Sequence, residues 1–430
     1  MSISVVILAA GKGSRMKSTT PKVLHEISGK AMLFHAIDAA QKISDDITII
    51  LYHQATRVQE YIEKEYEDIN FHVQDAEKFP GTGGAMKGVK TKYKKTLILN
   101  GDMPLITQNS LLALTRGDAN INMSVIQLDN PSGYGRVIIA NQKIQEIVEE
   151  KDCIQTQKKI NTVNAGIYCI DSKLLNRYIP KIDNNNAQKE YYLTDIIKMA
   201  VDENLTVTPI YVEEEEFKGV NSKLDLSIAE EIMQQRIREK WMSQGVSMRL
   251  PSTIYIDIRA EFKGECILEN GVTILGKSYL ENALIKTHSV IEDATVINSD
   301  VGPMGRLRPL AHITDTHIGN FVEVKKSTLN GVKAGHLSYI GNATIESGSN
   351  IGAGVITCNY DGKNKYQTTI GKNVFIGSDS QLIAPVTIED DVIIAAGTTL
   401  AKNVKRGELA ISRPPLKKIS NFFYKFFGKS

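Results

Sequence analysis

The sequence predicts an α/β protein with two parts: an N-terminal domain built on a mostly parallel sheet, and a C-terminal parallel β-helix joined to it by a linker helix. Three observations predict this class. Short apolar runs alternate with helix-like segments through residues 1–223. Apolar residues then recur at helical spacing among charges through 224–245. In residues 246–415 aliphatic residues recur every six positions, and a basic aromatic tail follows at 416–430.

The N-terminal alternation gives strand candidates at Val5–Leu8, Ile47–Leu51 and Thr96–Leu99, with a helical segment at Ala31–Gln41. A glycine-rich loop follows the first strand, and Asn100-Gly101-Asp102 ends the third. This alternation predicts a mostly parallel sheet with helices on both faces. Ligands of such sheets bind at the carboxyl ends of the strands, so both loops are candidate site elements.

One long amphipathic helix is predicted between the two parts. Its apolar residues are Leu226, Ile228, Ile232, Met233, Ile237 and Trp241. Gly245 and Pro251 follow, so we expect the helix to have ended there.

The six-residue period predicts a solenoid in which each repeat forms one flat face, the aliphatic side chains stack inside and three repeats close a triangular coil. The strictest frame contains Ile370, Ile376, Leu382, Ile388, Ile394 and Leu400. Earlier frames contain Ile267, Thr273, Tyr279, Ile285, Ile291 and Ile297, then Ile318 and Val324, then Tyr339, Ile345 and Ile351. The period breaks at 302–312 and 357–370, and loops at such breaks are often functional.

Composition restricts the function classes. The formal net charge is only +2, which gives no case for binding nucleic acid. No apolar stretch reaches the roughly 20 residues of a membrane span, and the short apolar run near the N-terminus lacks the basic region of a signal peptide. The four scattered cysteines, which we interpret as small buried residues, fit a reducing compartment, so we expect a cytoplasmic protein.

The glycine-rich loop Leu8–Met16 lets backbone amides approach a nucleotide and its phosphates. Arg15 and Lys22 add positive charge beside it. The loop is neither a P-loop nor a dinucleotide fingerprint, because GxxxxGK[ST] and GxGxxG are both absent. Taken alone, it is equally consistent with an ordinary turn.

Further motifs follow the loop in order. They are Pro21–Leu24, Gln74, Pro80–Gly83, Leu99–Leu105, Gly133–Arg136, Ile147–Glu149, Asn164–Gly166, residues 184–196 and Gly219–Asn221. With the C-terminal motifs below, the chain resembles the bacterial bifunctional N-acetylglucosamine-1-phosphate uridyltransferases/glucosamine-1-phosphate N-acetyltransferases over residues 3–415. The resemblance implies a Rossmann-like nucleotidyltransferase domain, a left-handed β-helix, and the synthesis of UDP-N-acetylglucosamine.

The resemblance implies roles for residues of the N-terminal domain. The nucleotide would be bound by Leu8, Ala9, Ala10, Gly11, Lys22, Gln74, Gly81 and Thr82, and the sugar by Gly135, Glu149, Asn164 and Asn221. Asp102 and Asn221 would ligate Mg²⁺, while Lys22 and Arg15 would act catalytically by stabilising charge on the triphosphate. Two departures from the family pattern concern finer contacts: Gly84 stands where a histidine is usual, and Ala165 replaces a threonine.

These residue types suit nucleotidyl transfer. The sugar phosphate attacks the α-phosphorus of UTP in line, pyrophosphate leaves, and no protein base is needed because the phosphate is already a nucleophile. Mg²⁺ prefers oxygen ligands and keeps several waters, so a carboxylate and an amide suffice. The competing interpretations are a strand-end helix cap for Asp102 and a solvated surface lysine for Lys22.

A polar cluster on the β-helix resembles the acetyltransferase site of the same family. We assign His336 as the base that takes a proton from the amine of glucosamine 1-phosphate, with Glu323 as a candidate to orient it. The resemblance places the substrate on Arg308, Lys325, Tyr339, Asn350 and Lys365. It places acetyl-CoA along Ala353, Asn359, Tyr360, Ser378, Ala396 and Arg413, with the Ala353 amide facing the oxyanion. A solvated turn histidine is the competing interpretation of His336.

The resemblance also implies a homotrimer that uses glucosamine 1-phosphate, N-acetylglucosamine 1-phosphate, UTP and acetyl-CoA. The aromatic tail, interpreted as a helix, could dock on a neighbouring subunit, which we favour, or lie on an anionic membrane surface. Two other functions stay open: a nucleotidyltransferase whose β-helix only regulates or assembles it, and a non-catalytic trimeric scaffold.

Overall fold

A computed structural model describes residues 3–186 and 188–428. The chain divides into two compact units, Met1–Met233 and Gln234–Ser430. Among the described residues, none of the helices has both the length and the apolar character needed to cross a membrane.

The N-terminal unit is built on a mixed sheet. The strands of this sheet are β1 (Ser4–Leu8), β4 (Asp46–Leu51), β5 (Ile69–Val73), β6 (Lys95–Asn100), β7 (Ile121–Gln127), β8 (Arg136–Ala140), β9 (Lys143–Val148), β10 (Thr162–Asp171) and β11 (Val207–Tyr211). A separate two-stranded sheet contains β2 (Glu26–Ile27) and β3 (Lys30–Ala31). The helices of the unit are α1 (Met32–Gln41), α2 (Ala55–Ile62), α3 (Thr82–Ala85), α4 (Gln108–Thr115), α5 (Ser172–Tyr178), α6 (Asp195–Asp202), α7 (Glu214–Phe217) and the first part of α8 (Lys223–Ser243). The sheet order is β11-β7-β10-β6-β1-β4-β5.

The seven-stranded path of the sheet has a parallel centre and one reversed strand. β1 pairs in parallel with β4 and β6, as the sequence predicts. β10 is antiparallel to both β6 and β7, and the β8–β9 hairpin pairs with its beginning. The alternation of motifs along the chain did not predict this reversal, because strand direction depends on pairing between distant segments.

The central strands are buried on both faces. Val5 and Ile7 belong to one apolar cluster, while Val6 between them belongs to the other. Successive side chains of a strand point to opposite faces, so a continuous apolar run indicates a strand covered on both sides. The parallel pairing of β1 with β6 places the carboxyl ends of these two buried strands side by side.

Helix α8 lies within a few residues of its predicted limits. It ends where the sequence places a glycine: Gly245 has φ 100°, and the amide of Val246 donates to the carbonyl of Trp241 at 3.0 Å. In the C-terminal unit, the Trp241 ring meets Phe262 edge to face at 5.0 Å.

The C-terminal unit is a prism of short parallel strands, one strand per face in each coil. The first face contains Ser247–Met248, Ile267–Leu268, Leu284–Ile285, Asp300–Val301, His317–Asn320, Lys333–His336, Asn350–Ile351, Phe375–Ile376, Ile393–Ile394 and Leu409–Ala410. The second contains Tyr255–Ile256, Thr273–Leu275, Val290–Glu292, Arg306–Leu307, Glu323–Lys325, Tyr339–Gly341, Ile356–Cys358, Gln381–Ile383 and Thr399–Leu400. The third contains Glu261–Lys263, Tyr279–Glu281, Thr295–Ile297, His312–Thr314, Thr328–Asn330, Ala343–Ile345, Thr368–Ile370 and Val386–Ile388.

The predicted frame is correct in the last coils, whereas in the first coils it is correct at Ile285 and Ile291 and displaced by one residue at other positions. The six aliphatic residues from Ile370 to Leu400 are all buried. In the early frame, however, Ile267 is 38% exposed, and the neighbouring Leu268 points inward. Leu268 pairs in register with Ile285, so this coil is one residue shorter than three full six-residue repeats. A six-residue frame extended back from Ile285 therefore reaches Ile267 and misses the inward-pointing Leu268 by one position.

Four other predicted positions are also displaced by one residue, three of them forward along the chain and one backward. Ile274, Leu280, Val296 and Ile340 are buried, where the sequence frame had assigned Thr273, Tyr279, Ile297 and Tyr339. Side chains on the outer surface of a strand can also be apolar, so the period alone does not say which of two neighbours points inward.

Both breaks in the period are loops between two faces of one coil. Residues 359–367 leave the solenoid, and the loop is pinned by an antiparallel bridge between Tyr360 and Lys365. The other break, at 302–305, precedes the strand Arg306–Leu307. The tail contains α9 (Phe422–Phe427), a helix that the sequence predicted.

The four cysteines are all free thiols. Cys169 and Cys266 are buried as expected, whereas Cys153 and Cys358 are only half-buried, so the prediction of burial is wrong for two of the four.

Candidate functional site

A cleft of about 730 Å³ opens at the carboxyl ends of β1 and β6. Most residues assigned to the uridyl site line it: Leu8, Ala9, Ala10, Gly11, Lys22, Gln74, Gly81, Thr82, Asp102, Glu149 and Asn164. Arg15, Gly135 and Asn221 do not line it directly. Arg15 lies exposed in the short turn Ser14–Met16, beyond the glycine-rich loop.

The glycine-rich loop packs directly on Lys22. Gly13 has φ 61°, and a β-carbon there would lie 2.5 Å from Cβ of Lys22. Only glycine combines this backbone conformation with so close an approach. The contact holds the lysine stem beneath the loop that is expected to carry the phosphates.

Lys22, Asp102 and Asn221 form one cluster. The ammonium of Lys22 pairs with Oδ2 of Asp102 and donates to Oδ1 of Asn221 at 3.0 Å. The backbone supports this arrangement, because the amide of Val220 donates to the carbonyl of Asp102 at 2.9 Å. Two oxygens therefore converge on one cationic group, as a divalent cation with oxygen ligands requires.

At one end of the cleft, Gln74 braces the loop before α3. Its Nε2 donates to the carbonyls of Phe79 at 3.0 Å and Gly81 at 3.1 Å. The hydroxyl of Thr82 accepts from the amide of Leu193 at 3.1 Å. The side-chain amide nitrogen of Gln74 thus shapes the pocket, and a nucleobase would meet the backbone that it holds.

The structure explains why Gly84 cannot carry the histidine that is usual in the family. A β-carbon at this position would lie 2.1 Å from the carbonyl oxygen of Phe79. Any side chain would push the segment before Pro80 away from α3. Ala165 is buried in an apolar cluster and is not among the cleft-lining residues, so this departure leaves the lining unchanged.

The other end of the cleft contains the residues assigned to the sugar. The side-chain amide of Asn164 donates to the Tyr168 hydroxyl at 2.7 Å, and its backbone amide donates to the carbonyl of Gly135 at 3.0 Å. Burial raises the pKa of the Glu149 carboxyl, with smaller contributions from Asp152 and Asp195. A partly desolvated acceptor of this kind suits the hydroxyl groups of a sugar.

The sequence assignments missed one wall of this cleft. Gln188, Glu190, Tyr192, Leu193 and Thr194 line it, together with Tyr52, Asn100 and Tyr168. The segment 184–196 is one of the motifs that carry the resemblance, yet the resemblance assigns no role to its residues. The position of the segment indicates a role in shaping the proposed nucleobase end of the cleft. The ammonium of Lys87 lies 4.4 Å from the ring centroid of Phe79 and 4.2 Å from that of Tyr191, and so holds the segment against this end.

On the β-helix, three cations assigned to glucosamine 1-phosphate share one environment. The Arg308 guanidinium, followed by the Lys365 ammonium, lowers the pKa of Lys325. Arg308 also donates to Glu323 at 2.7 Å. Glu323, expected to orient His336, is therefore paired with the substrate-side arginine instead.

His336 ends a strand of the first face, and its side chain is exposed. Its position pairs with Asn320 in the previous coil, and Asn350 pairs with Lys333 of the same strand. Tyr339 begins the strand that follows on the second face. Its hydroxyl and the Asn359 amide both lie over Gly341. The histidine, the tyrosine and the asparagines thus lie on neighbouring coils.

Three of the residues assigned to acetyl-CoA, Ala353, Ser378 and Ala396, lie along one edge of the prism, each just after a strand of the first face. The amide of Asp379 donates to the carbonyl of Ala353, and the amide of Gly397 donates to the carbonyl of Ser378, both at 2.8 Å. The side chain of Arg413 reaches Gly397, at 4.0 Å from where a β-carbon would lie. Tyr360 lies in the loop of residues 359–367 that leaves the solenoid, and it is 58% exposed. The two amide-to-carbonyl bonds stack the corners that contain Ala353, Ser378 and Ala396.

Two protein families match parts of the chain. MobA-like NTP transferase domains match residues 5–160. The bacterial transferase hexapeptide family, with six repeats, matches residues 367–402. These regions coincide with the mixed sheet and with the last coils of the β-helix.

Several relatives match over the whole length. Proteins named "Bifunctional protein GlmU" are 72% identical in Sulfurovum sp. (strain NBC37-1), over 428 residues, and 57% identical in Wolinella succinogenes, over 430 residues. A third, from Campylobacter jejuni (strain RM1221), is 51% identical over 429 residues. Each match covers 100% of both chains. The chain therefore belongs to the bifunctional GlmU family, enzymes of UDP-N-acetylglucosamine synthesis that join a nucleotidyltransferase to a hexapeptide-repeat acetyltransferase.

Proposed function

We propose that the cleft of the N-terminal unit carries out uridylyl transfer from UTP to N-acetylglucosamine 1-phosphate, with release of pyrophosphate. The observation that carries this assignment is the convergence of Asp102 and Asn221 oxygens on the ammonium of Lys22. The two oxygens fit Mg²⁺, which when bound neutralises phosphate charge and orients the triphosphate. Displaced from these oxygens, Lys22 can turn its ammonium to the phosphates.

The chain's own residues supply binding and alignment in this reaction. Leu8 to Gly11 present backbone to the nucleotide, and Gln74, Gly81 and Thr82 form the nucleobase end. Glu149, Asn164 and Gly135 hold the sugar, so that its phosphate points toward the α-phosphorus. Arg15 reaches the triphosphate from the exposed side of the glycine-rich loop. Positioning and cationic stabilisation account for the catalysis, since the nucleophile is already ionised.

The β-helix is proposed to carry out acetyl transfer from acetyl-CoA to glucosamine 1-phosphate. Arg308, Lys325 and Lys365 hold the phosphorylated sugar, with Tyr339 and Asn350 on its hydroxyl groups. His336 accepts the proton that the amine loses, while the amide of Ala353 donates to the tetrahedral oxyanion. The stacked corners at Ser378 and Ala396, together with Asn359, Tyr360 and Arg413, bind acetyl-CoA. The cationic environment shared by Lys325 and Arg308 supports a phosphate-bearing substrate.

The two reactions run in series, because the N-acetylated sugar phosphate made by the β-helix is the nucleophile used in the cleft. We further propose domain limits of 1–223, 224–245 and 246–415, a homotrimer and a cytoplasmic location. The hexapeptide match supports the trimer.

One experiment separates the two sites. Thiol release is followed with purified protein, glucosamine 1-phosphate and acetyl-CoA, and pyrophosphate release is followed in a separate mixture with N-acetylglucosamine 1-phosphate, UTP and Mg²⁺. His336→Ala is expected to lower thiol release by about 10²- to 10⁴-fold, as for loss of a general base, and to leave pyrophosphate release from supplied N-acetylglucosamine 1-phosphate intact. Asp102→Ala is expected to abolish pyrophosphate release alone.

Matched variants control for nonspecific damage. His312→Ala removes another exposed histidine of the β-helix, and Asp118→Ala removes an exposed carboxylate of the N-terminal unit. Both should keep both activities. Loss of both activities in His336→Ala or Asp102→Ala would contradict independent sites. Wild-type protein without thiol release would favour a β-helix that only regulates or assembles the nucleotidyltransferase.

A further inference from the structure

The 416–430 tail and the segment before it carry an unusual charge. Residues 409–430 contain no aspartate or glutamate, and their basic residues are Arg413, Lys417, Lys418, Lys425 and Lys429. This short stretch thus has more positive charge than the whole chain, whose formal net charge is +2. A partner for the tail must therefore tolerate or supply negative charge.

The aromatic residues of the tail form one continuous exposed surface. In α9, every position except Lys425 is aromatic, and the five rings are between 53% and 69% exposed. Phe422 stacks on Phe426 at 5.8 Å, and Phe423 contacts Phe427 at 4.8 Å. Two adjacent rows of rings thus lie along the helix, and Leu416 and Ile419 before it are also exposed.

Such a segment is poorly suited to water. A helix of one or two turns is marginal by itself, because few hydrogen bonds offset the cost of nucleation. An exposed cluster of five aromatic rings is also larger than the isolated apolar residues that monomer surfaces normally carry. A binding surface for the tail must therefore be apolar over the width of both rows of rings and must carry negative charge beside them for the lysines.

We propose that the tail binds the surface of an anionic lipid bilayer. Aromatic rings favour the boundary between headgroups and acyl chains, and lysines on the same segment reach the acidic headgroups. Lys417 and Lys418 precede the rings, while Lys425 stands alone on the remaining side of α9. This combination is typical of helices that lie in the membrane interface without crossing it.

A second copy of the chain fits the tail less well. The exposed apolar side chains of Phe375, Ile393 and Leu409 form a column on the first face, because their strands pair in register. The column is one residue wide, so it could cover one row of rings and leave the other in water. The lysines of the tail would find no negatively charged partner in this apolar column.

The test is vesicle binding by the full-length protein. Vesicles of phosphatidylglycerol mixed with phosphatidylcholine are compared with vesicles of phosphatidylcholine alone, by cosedimentation at low and high salt. We expect binding to the anionic vesicles only, reduced at high salt because counterions screen the lysines. Binding should fall about tenfold or more in Phe422→Ser/Phe426→Ser and in Lys417→Gln/Lys418→Gln/Lys425→Gln.

The control variant is Ile154→Ser, which removes a 63% exposed apolar residue outside the tail and should bind like the wild type. Both tail variants should retain both transferase activities in solution, which shows that they fold. Absence of binding to anionic vesicles, or equal binding by the tail variants, would overturn the proposal. A change in molecular mass by light scattering in these variants, without lipid binding by the wild type, would assign the tail to a second copy instead.

Discussion

The ammonium of Lys22 pairs with the carboxylate of Asp102 inside the nucleotide cleft. Both side chains are largely shielded, at 11% and 19% exposure, and Asn221 accepts a further hydrogen bond from the same ammonium. The lysine thus lies where the proposed metal ligands converge. A metal ion and this ammonium compete for the same two oxygens.

Substitution of Lys22 should therefore separate metal binding from catalysis. Without nucleotide, Lys22→Gln is expected to bind Mn²⁺ about fivefold more tightly, the equivalent of about 1 kcal/mol, because a competing ion pair is removed. Uridylyl transfer should fall about 10²-fold or more through loss of a phosphate cation. Electron paramagnetic resonance titration measures the first effect. Lys12→Gln, in the same cleft, is the control, and weaker Mn²⁺ binding by Lys22→Gln would contradict the competition.

The ionised carboxylate of Glu149 should lower the free energy of unfolding at neutral pH, while it contributes to the proposed binding of the sugar. Burial raises its pKa in the folded protein, so its contribution to stability is present while it is protonated and is lost as pH rises through the folded pKa. Glu149→Gln should thus raise the melting temperature at pH 7 relative to wild type and have little effect below the ordinary glutamate pKa. KM for N-acetylglucosamine 1-phosphate should rise.

Thermal denaturation across pH measures this difference, with the exposed Glu146→Gln as control. A gain in stability at acidic pH, or an unchanged KM, would argue against the assignment of Glu149.

Restoring a side chain at Gly84 should damage the nucleobase end. Gly84→Ala places a β-carbon against the carbonyl of Phe79 and is expected to cost about 1–3 kcal/mol, as overpacking does. The melting temperature of the N-terminal unit should fall by several degrees, and KM for UTP should rise. Gly11→Ala is the stability control, since a β-carbon there meets nothing within 4 Å. Equal melting temperatures for the two variants would show that the loop before α3 moves freely.

The pH dependence of glucosamine 1-phosphate binding should depend on Arg308. Because Arg308 and Lys365 lower the pKa of Lys325, this lysine loses its proton at a lower pH than an ordinary lysine. KM for glucosamine 1-phosphate should therefore rise at alkaline pH, as Lys325 loses its charge. Arg308→Gln removes the largest cause, so it should raise KM at neutral pH and move the alkaline limb to higher pH. A pH profile of KM, with Lys333→Gln as control, checks this shift; an unmoved limb would contradict it.

The elements predicted from sequence are those decided by local pattern. The strand candidate Val5–Leu8 became β1, and the helix with Trp241 on its apolar side became α8, because each pattern reflects burial of the element itself. The antiparallel direction of β10 and the inward position of Leu268 were not predicted. Both depend on the partner strand, which the period of a single segment does not identify.

The candidate site divides in the same way. The residue types near Lys22 and Asp102 indicated phosphate and metal chemistry, but their ion pair joins segments far apart in the chain and became visible only in the folded unit. Glu323 illustrates the opposite outcome. Its assignment to His336 relied on chemical plausibility, and its geometry favours Arg308.

The stacking of coils makes the two ends of the proposed acetyl-CoA edge unequal in their tendency to unfold locally. Each coil of a solenoid contacts only its neighbours, so opening starts at an end and advances coil by coil. Arg308 lies several coils inside the stack, whereas Ala396 and Arg413 belong to its last turns. Fraying would therefore dismantle the cofactor half of the site before the sugar half. Bound acetyl-CoA would stabilise the last coils against local unfolding. Amide hydrogen exchange near residues 393–410 should therefore slow in its presence.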